Sequence, residues 1–75
     1  MEFDRDLDVK GLNCPLPILR TKKALADMDS GKILRVQATD PGSLKDFPAF
    51  AKQTGNELLL QREEDRVFEF FLKRK

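Results

Sequence analysis

A cysteine followed by two prolines, in the segment Cys14-Pro15-Leu16-Pro17, constrains the fold of this 75-residue chain strongly. Proline pushes the preceding residue into extended backbone, and it is tolerated in a helix only near the first turn. A helix is therefore predicted to begin at this segment. We expect Cys14 to be its N-cap, with Pro15 at the first and Pro17 at the third helical position.

The same segment predicts an activated thiol. Because proline has no N–H group, the amide of Leu16 is the main donor left in the first helical turn. A thiolate at the N-cap would meet that amide and the positive end of the helix dipole, which favours the charged form of sulfur. Cys14 is thus the candidate reactive residue, and Gly11 and Asn13 favour the bend that leads into it.

Strand and helix patterns lie on either side of this turn. Four side chains alternate with aspartates, which is typical of a strand with one buried face: Phe3, Arg5, Leu7 and Val9. From 15 to 28 the spacing is helical, and these residues are expected to face the core: Ile18, Thr21, Ala24, Leu25 and Met28. Gly31 is expected to end this helix, and a second strand over 33–39 buries Leu34, Val36 and Ala38. A strand, helix and strand in this order predict a parallel pair with a right-handed crossover.

Turn residues over 39–43 precede a second helical segment. Ser43 and Asp46 have the spacing of a capping box, and we expect Asp40 and Asp46 to act as caps and not as catalysts. Pro48 predicts an irregular turn over 43–47, followed by a regular helix over 48–54 that Gly55 and Asn56 stop. The inner side of this segment is expected to comprise Phe47, Phe50, Ala51 and Thr54.

The remaining apolar runs, 58–60 and 67–72, predict a β-hairpin with a polar turn over 63–66. Three alternate residues are expected to pack under the helices: Phe68, Phe70 and Leu72. The predicted order is βαβαββ, an α/β (α+β) two-layer sandwich with two helices on one face of a four-stranded mixed sheet. We expect one domain, 1–75, with Cys14 at a sheet edge.

Composition and charge argue against several classes of function. Fourteen basic and thirteen acidic residues give a net charge of +1, without the basic excess of a domain that binds nucleic acid directly. With one cysteine and no histidine, we expect no disulfide, no metal, no cofactor and no cysteine-hydrolase machinery. The acidic first residues and the lack of a long apolar run predict a cytoplasmic protein that does not bind a membrane.

Apolar and basic side chains are predicted to lie together beside the thiol. On a helical projection, four residues fall away from the core: Leu16, Leu19, Arg20 and Lys23. We expect them to form a docking surface for a partner protein, with the leucines in apolar contact and the basic groups steering acidic surfaces. The alternative, that the leucines are scattered exposed residues without a role, stays open.

Three segments of the chain, 11–17, 38–42 and 46–50, closely resemble the TusA/SirA-like sulfur-carrier family with its Cys-Pro-x-Pro motif. The motif residues here are Gly11, Asn13, Cys14, Pro15, Leu16 and Pro17. The resemblance covers essentially the whole chain. It implies a protein that accepts sulfane sulfur as a persulfide on Cys14 and transfers it to another protein, as a carrier and not as a free-standing catalyst.

The resemblance also implies partners. The donors are cysteine desulfurases or rhodanese-type sulfurtransferases, the acceptors include DsrE-type proteins, and the contact with a desulfurase is expected around Cys14, Arg20 and Lys23. The sulfur would feed tRNA thiolation, cofactor sulfuration or cytoplasmic sulfur oxidation. Many relatives have a further cysteine near the position of Ala51, so its absence implies a relay with a single thiol.

Two other functions stay open at this point. The chain is then either a redox-responsive or regulatory interaction module whose thiol senses oxidants, or a structural adaptor in which Cys14 is a buried apolar residue. The two prolines favour the carrier, because a buried cysteine gains nothing from a rigid turn. Without a histidine, exchange with another sulfur is chemistry that a thiolate performs unaided.

Overall fold

The computed structural model describes residues 2–75, which form four strands and two helices. In chain order these are β1 (Arg5–Val9), α1 (Leu16–Ala26), β2 (Ile33–Ala38), α2 (Ser43–Thr54), β3 (Glu57–Glu64) and β4 (Val67–Lys73). The sheet order is β1-β2-β4-β3, with β1 parallel to β2 and the other neighbours antiparallel. The predicted βαβαββ order and the mixed sheet are confirmed. Among residues 2–75, neither helix combines the length and the apolar character needed to cross a membrane.

The core lies between the two helices and one face of the sheet. Its buried members are Val9, Ala24, Leu25, Leu34, Val36, Ala38, Phe47, Phe50, Ala51, Phe68, Phe70 and Leu72. The rings of Phe47 in α2 and Phe70 in β4 stack with their centroids 4.2 Å apart, so the second helix is anchored directly on the sheet. The predicted inward faces of α1, β2 and β4 are therefore confirmed, and that of α2 is confirmed except at Thr54, which is only half-buried.

Phe3 does not join this core, although its alternation with aspartates predicted that it lies on the buried face of the first strand. It precedes β1, is 42% exposed, and its ring contacts Phe71 with the centroids 6.1 Å apart. Phe71 is paired with Arg35 and lies on the helix-free face of the sheet, where the Arg35 guanidinium covers the Phe3 ring. Both faces of β4 are thus buried, but only one of them faces the helices.

Gly31 does not end α1, as its sequence position had predicted. The helix ends at Ala26, and its last turn is closed by i to i−3 hydrogen bonds from Asp27 to Ala24 and from Met28 to Leu25. These tighter bonds satisfy the terminal carbonyls without a left-handed glycine. Gly31, with φ 86°, serves the turn into β2 instead.

The second helix is longer than predicted. It continues through Pro48 from Ser43 to Thr54, so there is no irregular turn over 43–47. Proline in a helix costs about 3 kcal/mol, and full burial of two phenylalanines, at roughly 1.5–3 kcal/mol each, offsets that cost. These residues, Phe47 and Phe50, lie on either side of the proline in sequence and are buried.

The C-terminal end of α2 was predicted correctly, but its N-terminal cap was not. Gly42 is the N-cap and no side chain of the described residues caps the helix, so the predicted capping box of Ser43 and Asp46 is wrong. Ser43 is instead a buried helical residue. Gly55 ends the helix in the left-handed conformation, with φ 79°, as expected.

The hairpin turn is tighter than predicted. The strands extend to Glu64 and from Val67, which leaves only Asp65 and Arg66 between them. Both have positive φ values, 50° and 66°, which is the pattern of the two-residue turns that match the twist of paired strands.

A buried carboxylate on the helix-free face was not predicted. Glu69 in β4 is 6% exposed and accepts hydrogen bonds from the guanidiniums of Arg35 in β2 and Arg62 in β3. Burial alone would raise the pKa of Glu69, but the hydrogen bonds and positive charges of the two arginines outweigh it and lower the pKa. One carboxylate therefore links three strands.

We predict that Glu69→Gln lowers the free energy of unfolding by about 1–3 kcal/mol at neutral pH, because two guanidiniums lose a charged acceptor. Since folding lowers the pKa of Glu69, this stabilisation is complete above the unfolded carboxyl pKa of about 4.3 and is lost as the pH falls through the folded value. Urea unfolding at neutral and at strongly acidic pH measures the loss of stability and its dependence on pH. The exposed Glu63→Gln variant is the control, and an equal loss at the two pH values would contradict the ion-pair explanation.

Candidate functional site

The loop between β1 and α1 holds Cys14 at the surface, where its side chain is exposed. Gly11 opens the loop with φ 82°, and its amide donates a hydrogen bond to the Thr39 hydroxyl at 2.9 Å. The Leu12 amide donates to the carbonyl of Val9 at 3.2 Å. The bend predicted from the glycine is therefore present, and the loop after β2 supports it.

The helix begins one residue later than predicted. Its first residue is Leu16, with Pro15 as the N-cap and Pro17 at the second position, so Cys14 is not the N-cap. The amide of Leu16 donates to the carbonyl of Asn13 at 2.9 Å. Because this turn uses the Leu16 N–H, the donor that was predicted to stabilise the Cys14 thiolate is already occupied.

Asp40 holds the backbone of Cys14 in place. One carboxylate oxygen accepts the Cys14 N–H at 3.0 Å, and the other accepts the Gly42 N–H at 3.3 Å. Asp40 is therefore a bridge between two loops and not a helix cap. The sequence held a signal for this bridge, since loops that follow neighbouring parallel strands meet at the same edge of a sheet.

The first turn of α2 brings a second carboxylate to the thiol. Asp46 and Cys14 line the same open cleft of about 310 Å³, whose other walls are Pro15, Ile18, Ala49, Phe50 and Gln53. The floor is largely apolar, and Asp46 is the only charged residue that lines it in the described part of the chain. Among residues 2–75, no three metal-ligating side chains converge at this cleft or elsewhere.

The electrostatics of the site are opposite to those predicted. Desolvation raises the pKa of the Cys14 thiol, and the nearby charges of Asp46 and then Asp40 raise the pKa further. An ordinary cysteine thiol already has a pKa of about 8.5, so Cys14 is protonated at neutral pH. The prediction of a thiolate activated by the helix was wrong because the fold desolvates the thiol and places two carboxylates beside it.

Apolar and basic side chains do lie together on the outer side of α1. Leu16 and Leu19 are 43% and 54% exposed, and Arg20 and Lys23 follow at helical spacing on the same surface. We call these four residues the α1 surface. Arg5 of β1 was not predicted to take part, yet it joins Arg20 and Lys23 around a shallow cleft of about 140 Å³.

The fold and site define a small α/β domain that presents one exposed thiol between two loops at the carboxyl ends of parallel strands. Residues 5–74 match the family model described as Sulfurtransferase TusA. The chain is 63% identical to the sulfur carrier protein TusA of Allochromatium vinosum, over 97% of this chain and 96% of that protein. It belongs to the TusA family, as the Cys-Pro-x-Pro motif predicted.

Two further relatives support this assignment. The putative sulfur carrier protein YrkI of Bacillus subtilis is 46% identical over 99% of both chains. The crystal structure of a SirA-like protein from Desulfitobacterium hafniense superposes with a TM-score of 0.83 at 28% identity, covering 93% of this chain and 96% of that one. The predicted fold class is thus confirmed by a solved structure as well.

We predict that Cys14 is alkylated slowly at neutral pH and that its rate inflects above the pKa of an unperturbed cysteine, about 8.5. The thiolate is the reactive form, and a raised pKa moves its formation to higher pH. Intact mass spectrometry of iodoacetamide adducts against pH measures the profile, and the same chain in denaturing urea supplies the unperturbed reference. An inflection below that reference would restore the helix-dipole explanation.

Proposed function

We propose that this chain is a sulfur carrier that accepts sulfane sulfur as a persulfide on Cys14 and transfers it to an acceptor protein. The observation that carries this proposal is the exposed Cys14 thiol in a chain of the TusA family. Asp40 fixes the loop that holds this thiol, and the two prolines of the motif follow it. An open cleft gives a thiol of a larger protein direct access to the sulfur.

The transfer is an exchange between sulfur atoms. In loading, the Cys14 sulfur attacks the outer sulfur of a donor persulfide, the new S–S bond forms, the donor's S–S bond breaks, and the donor leaves as a thiol. In discharge, an acceptor thiolate attacks the outer sulfur on Cys14 in the same way. The sulfane sulfur moves without net oxidation, so no external oxidant takes part.

The structure favours this function over the two alternatives from the sequence. Cysteines that sense oxidants have a low pKa and often lie beside a resolving cysteine, whereas the pKa of Cys14 is raised and the chain has one cysteine. A structural adaptor requires a buried Cys14, and the residue is exposed. A lone thiol also leaves its persulfide without an internal thiol that would reduce it.

The partners belong to the same proposal. A cysteine desulfurase or a rhodanese-type protein would load Cys14, and a DsrE-type or other acceptor would unload it, both approaching over the α1 surface. The cytoplasm suits this relay because thiols stay reduced there. Residues 1–75 would form one sulfur-carrier domain, and the family match over residues 5–74 supports this.

We predict that incubation with inorganic polysulfide or thiosulfate adds sulfur in multiples of one atom, and that reductant removes it, because a persulfide is reducible. Intact mass spectrometry measures the adduct, and Cys14→Ser is the matched control that should gain none. Absence of an adduct on the wild-type chain would refute the carrier function. An adduct on the serine variant would place the sulfur elsewhere.

We also predict that Arg20→Glu with Lys23→Glu slows sulfur transfer from a cysteine desulfurase by about tenfold or more at low salt, since oppositely charged surfaces accelerate encounter. Loading by polysulfide, which needs no docking, stays unchanged. The two rates separate docking from chemistry.

The control is Lys32→Glu with Lys73→Glu, which makes the same change in net charge. Both lysines are exposed: Lys32 immediately precedes β2, and Lys73 ends β4 beside the start of β2. Cys14 lies at the opposite end of the sheet, because it follows the end of β1 that pairs with the end of β2. Equal slowing in both double variants would attribute the effect to net charge alone. No slowing in either would remove the α1 surface from the proposal.

A further inference from the structure

We propose that Asp46 is the proton acceptor for Cys14 during loading, taking the thiol proton as the sulfur attacks the donor persulfide. The inference rests on the proposed function, since it concerns the chemistry of the same cysteine. It assigns a catalytic role to a residue that the sequence had suggested only as a helix cap.

The placement of the two carboxylates distinguishes their roles. Both oxygens of Asp40 already accept backbone hydrogen bonds, from Cys14 and Gly42. Asp46 has no comparable commitment: its side chain caps no helix, and among residues 2–75 no lysine or arginine forms an ion pair with it. An unpaired carboxylate on the wall of the thiol's cleft is free to accept a proton.

The carboxylates of Asp40 and Asp46 both lie close to Gly42, beside Cys14. A Cβ atom at this position would lie 3.4 Å from an oxygen of Asp40 and 3.4 Å from an oxygen of Asp46. Two acidic groups from different elements, the loop after β2 and the first turn of α2, therefore lie near each other. The remaining groups around the thiol are uncharged, since Pro15 and Ile18 line the α1 side and Ala49, Phe50 and Gln53 the α2 side.

The chemistry requires an acceptor of this kind. Cys14 is stored as a thiol at neutral pH, because the pKa of the thiol is raised by desolvation, Asp46 and Asp40, so its proton must leave when the sulfur attacks. The chain has no histidine to take that proton. A carboxylate is too weak a base to deprotonate the resting thiol fully, but it can act while the new S–S bond forms.

The step balances without a co-reactant. Cys14–SH and a donor R–S–SH give Cys14–S–SH and R–SH: the S–H bond of Cys14 breaks, the proton passes to Asp46, and Asp46 returns it to the departing donor thiolate. No close hydrogen bond joins the Cys14 sulfur to the Asp46 carboxylate within the described chain. Catalytic hydrogen bonds commonly tighten only when the substrate is bound.

A purely electrostatic role for Asp46 predicts a different outcome. If its charge only repels the thiolate, then Asp46→Asn increases the thiolate fraction and accelerates every reaction of Cys14. If Asp46 accepts the proton, the same variant accelerates alkylation by iodoacetamide, which depends on the preformed thiolate, but slows sulfur loading. The two reactions of one sulfur therefore change in opposite directions.

The experiment measures alkylation by iodoacetamide and loading by inorganic polysulfide on the full chain at neutral pH, both by intact mass spectrometry. We expect Asp46→Asn to be alkylated faster than wild type and to load about 10²-fold more slowly, the usual scale of general-base effects. Asp46→Glu should recover part of the loading rate. Asp29→Asn, which removes an exposed carboxylate beyond the end of α1, should change neither rate.

The other possible results contradict either the proton-acceptor role of Asp46 or the carrier function of the chain. Loading by Asp46→Asn at the wild-type rate or faster overturns the proton-acceptor role while leaving Cys14 as the carrier. If Asp46→Asn slows both alkylation and loading, the variant has lost the geometry of the site. Asp46→Glu then decides: if it does not recover part of the loading rate, the proton-acceptor role is contradicted. Failure of the wild-type chain to load refutes the proposed function itself.

Discussion

The parallel pairing of β1 and β2 is the constraint on which the site depends. It brings the loop after each strand to one edge of the sheet, so that Asp40 in the loop after β2 reaches the amide of Cys14 in the loop after β1. The helix that follows each loop then packs on the same face of the sheet. A residue 26 positions away in sequence thus fixes the backbone of the thiol.

This arrangement explains how a chain with a single cysteine and no histidine can handle sulfur. The thiol is exposed, yet desolvation and two nearby carboxylates raise its pKa, which disfavours the thiolate that reacts with oxidants and electrophiles. Under the proposed function, Cys14 reacts when a donor or acceptor protein places a sulfur atom in the cleft. Low reactivity of the free thiol suits a sulfur carrier, which must release its sulfur only to the correct partner.

The sequence predicted the elements of the fold because their signals are local and mutually consistent. The period-two strands, the helical apolar spacing and the left-handed Gly55 each specify one element, and the right-handed crossover then leaves few topologies. Errors occurred where packing overrides a local signal, as at Pro48, which remains inside a helix because the adjacent phenylalanines are buried. Glu69 was missed because only the folded sheet brings its two arginines together.

The site was predicted in part for the same reason. Cys14 and its prolines lie within one four-residue motif, and this motif together with segments 38–42 and 46–50 indicates the family from the sequence alone. The helix dipole is also a local feature. The raised pKa of the thiol instead comes from desolvation and from the charges of Asp46 and Asp40, which all arise through tertiary packing. A prediction of reactivity from the helix start alone therefore had the wrong sign.

Protein-to-protein transfer of radioactive sulfur through Cys14 is the decisive test of the carrier function. A cysteine desulfurase supplied with sulfur-labelled cysteine would be mixed with this chain, and the labelled chain, once isolated, would be mixed with an acceptor protein. We expect the label to appear on the peptide that contains Cys14 and then to leave that peptide for the acceptor. Label that never reaches this peptide, or that stays on it in the presence of competent acceptors, would contradict the carrier function.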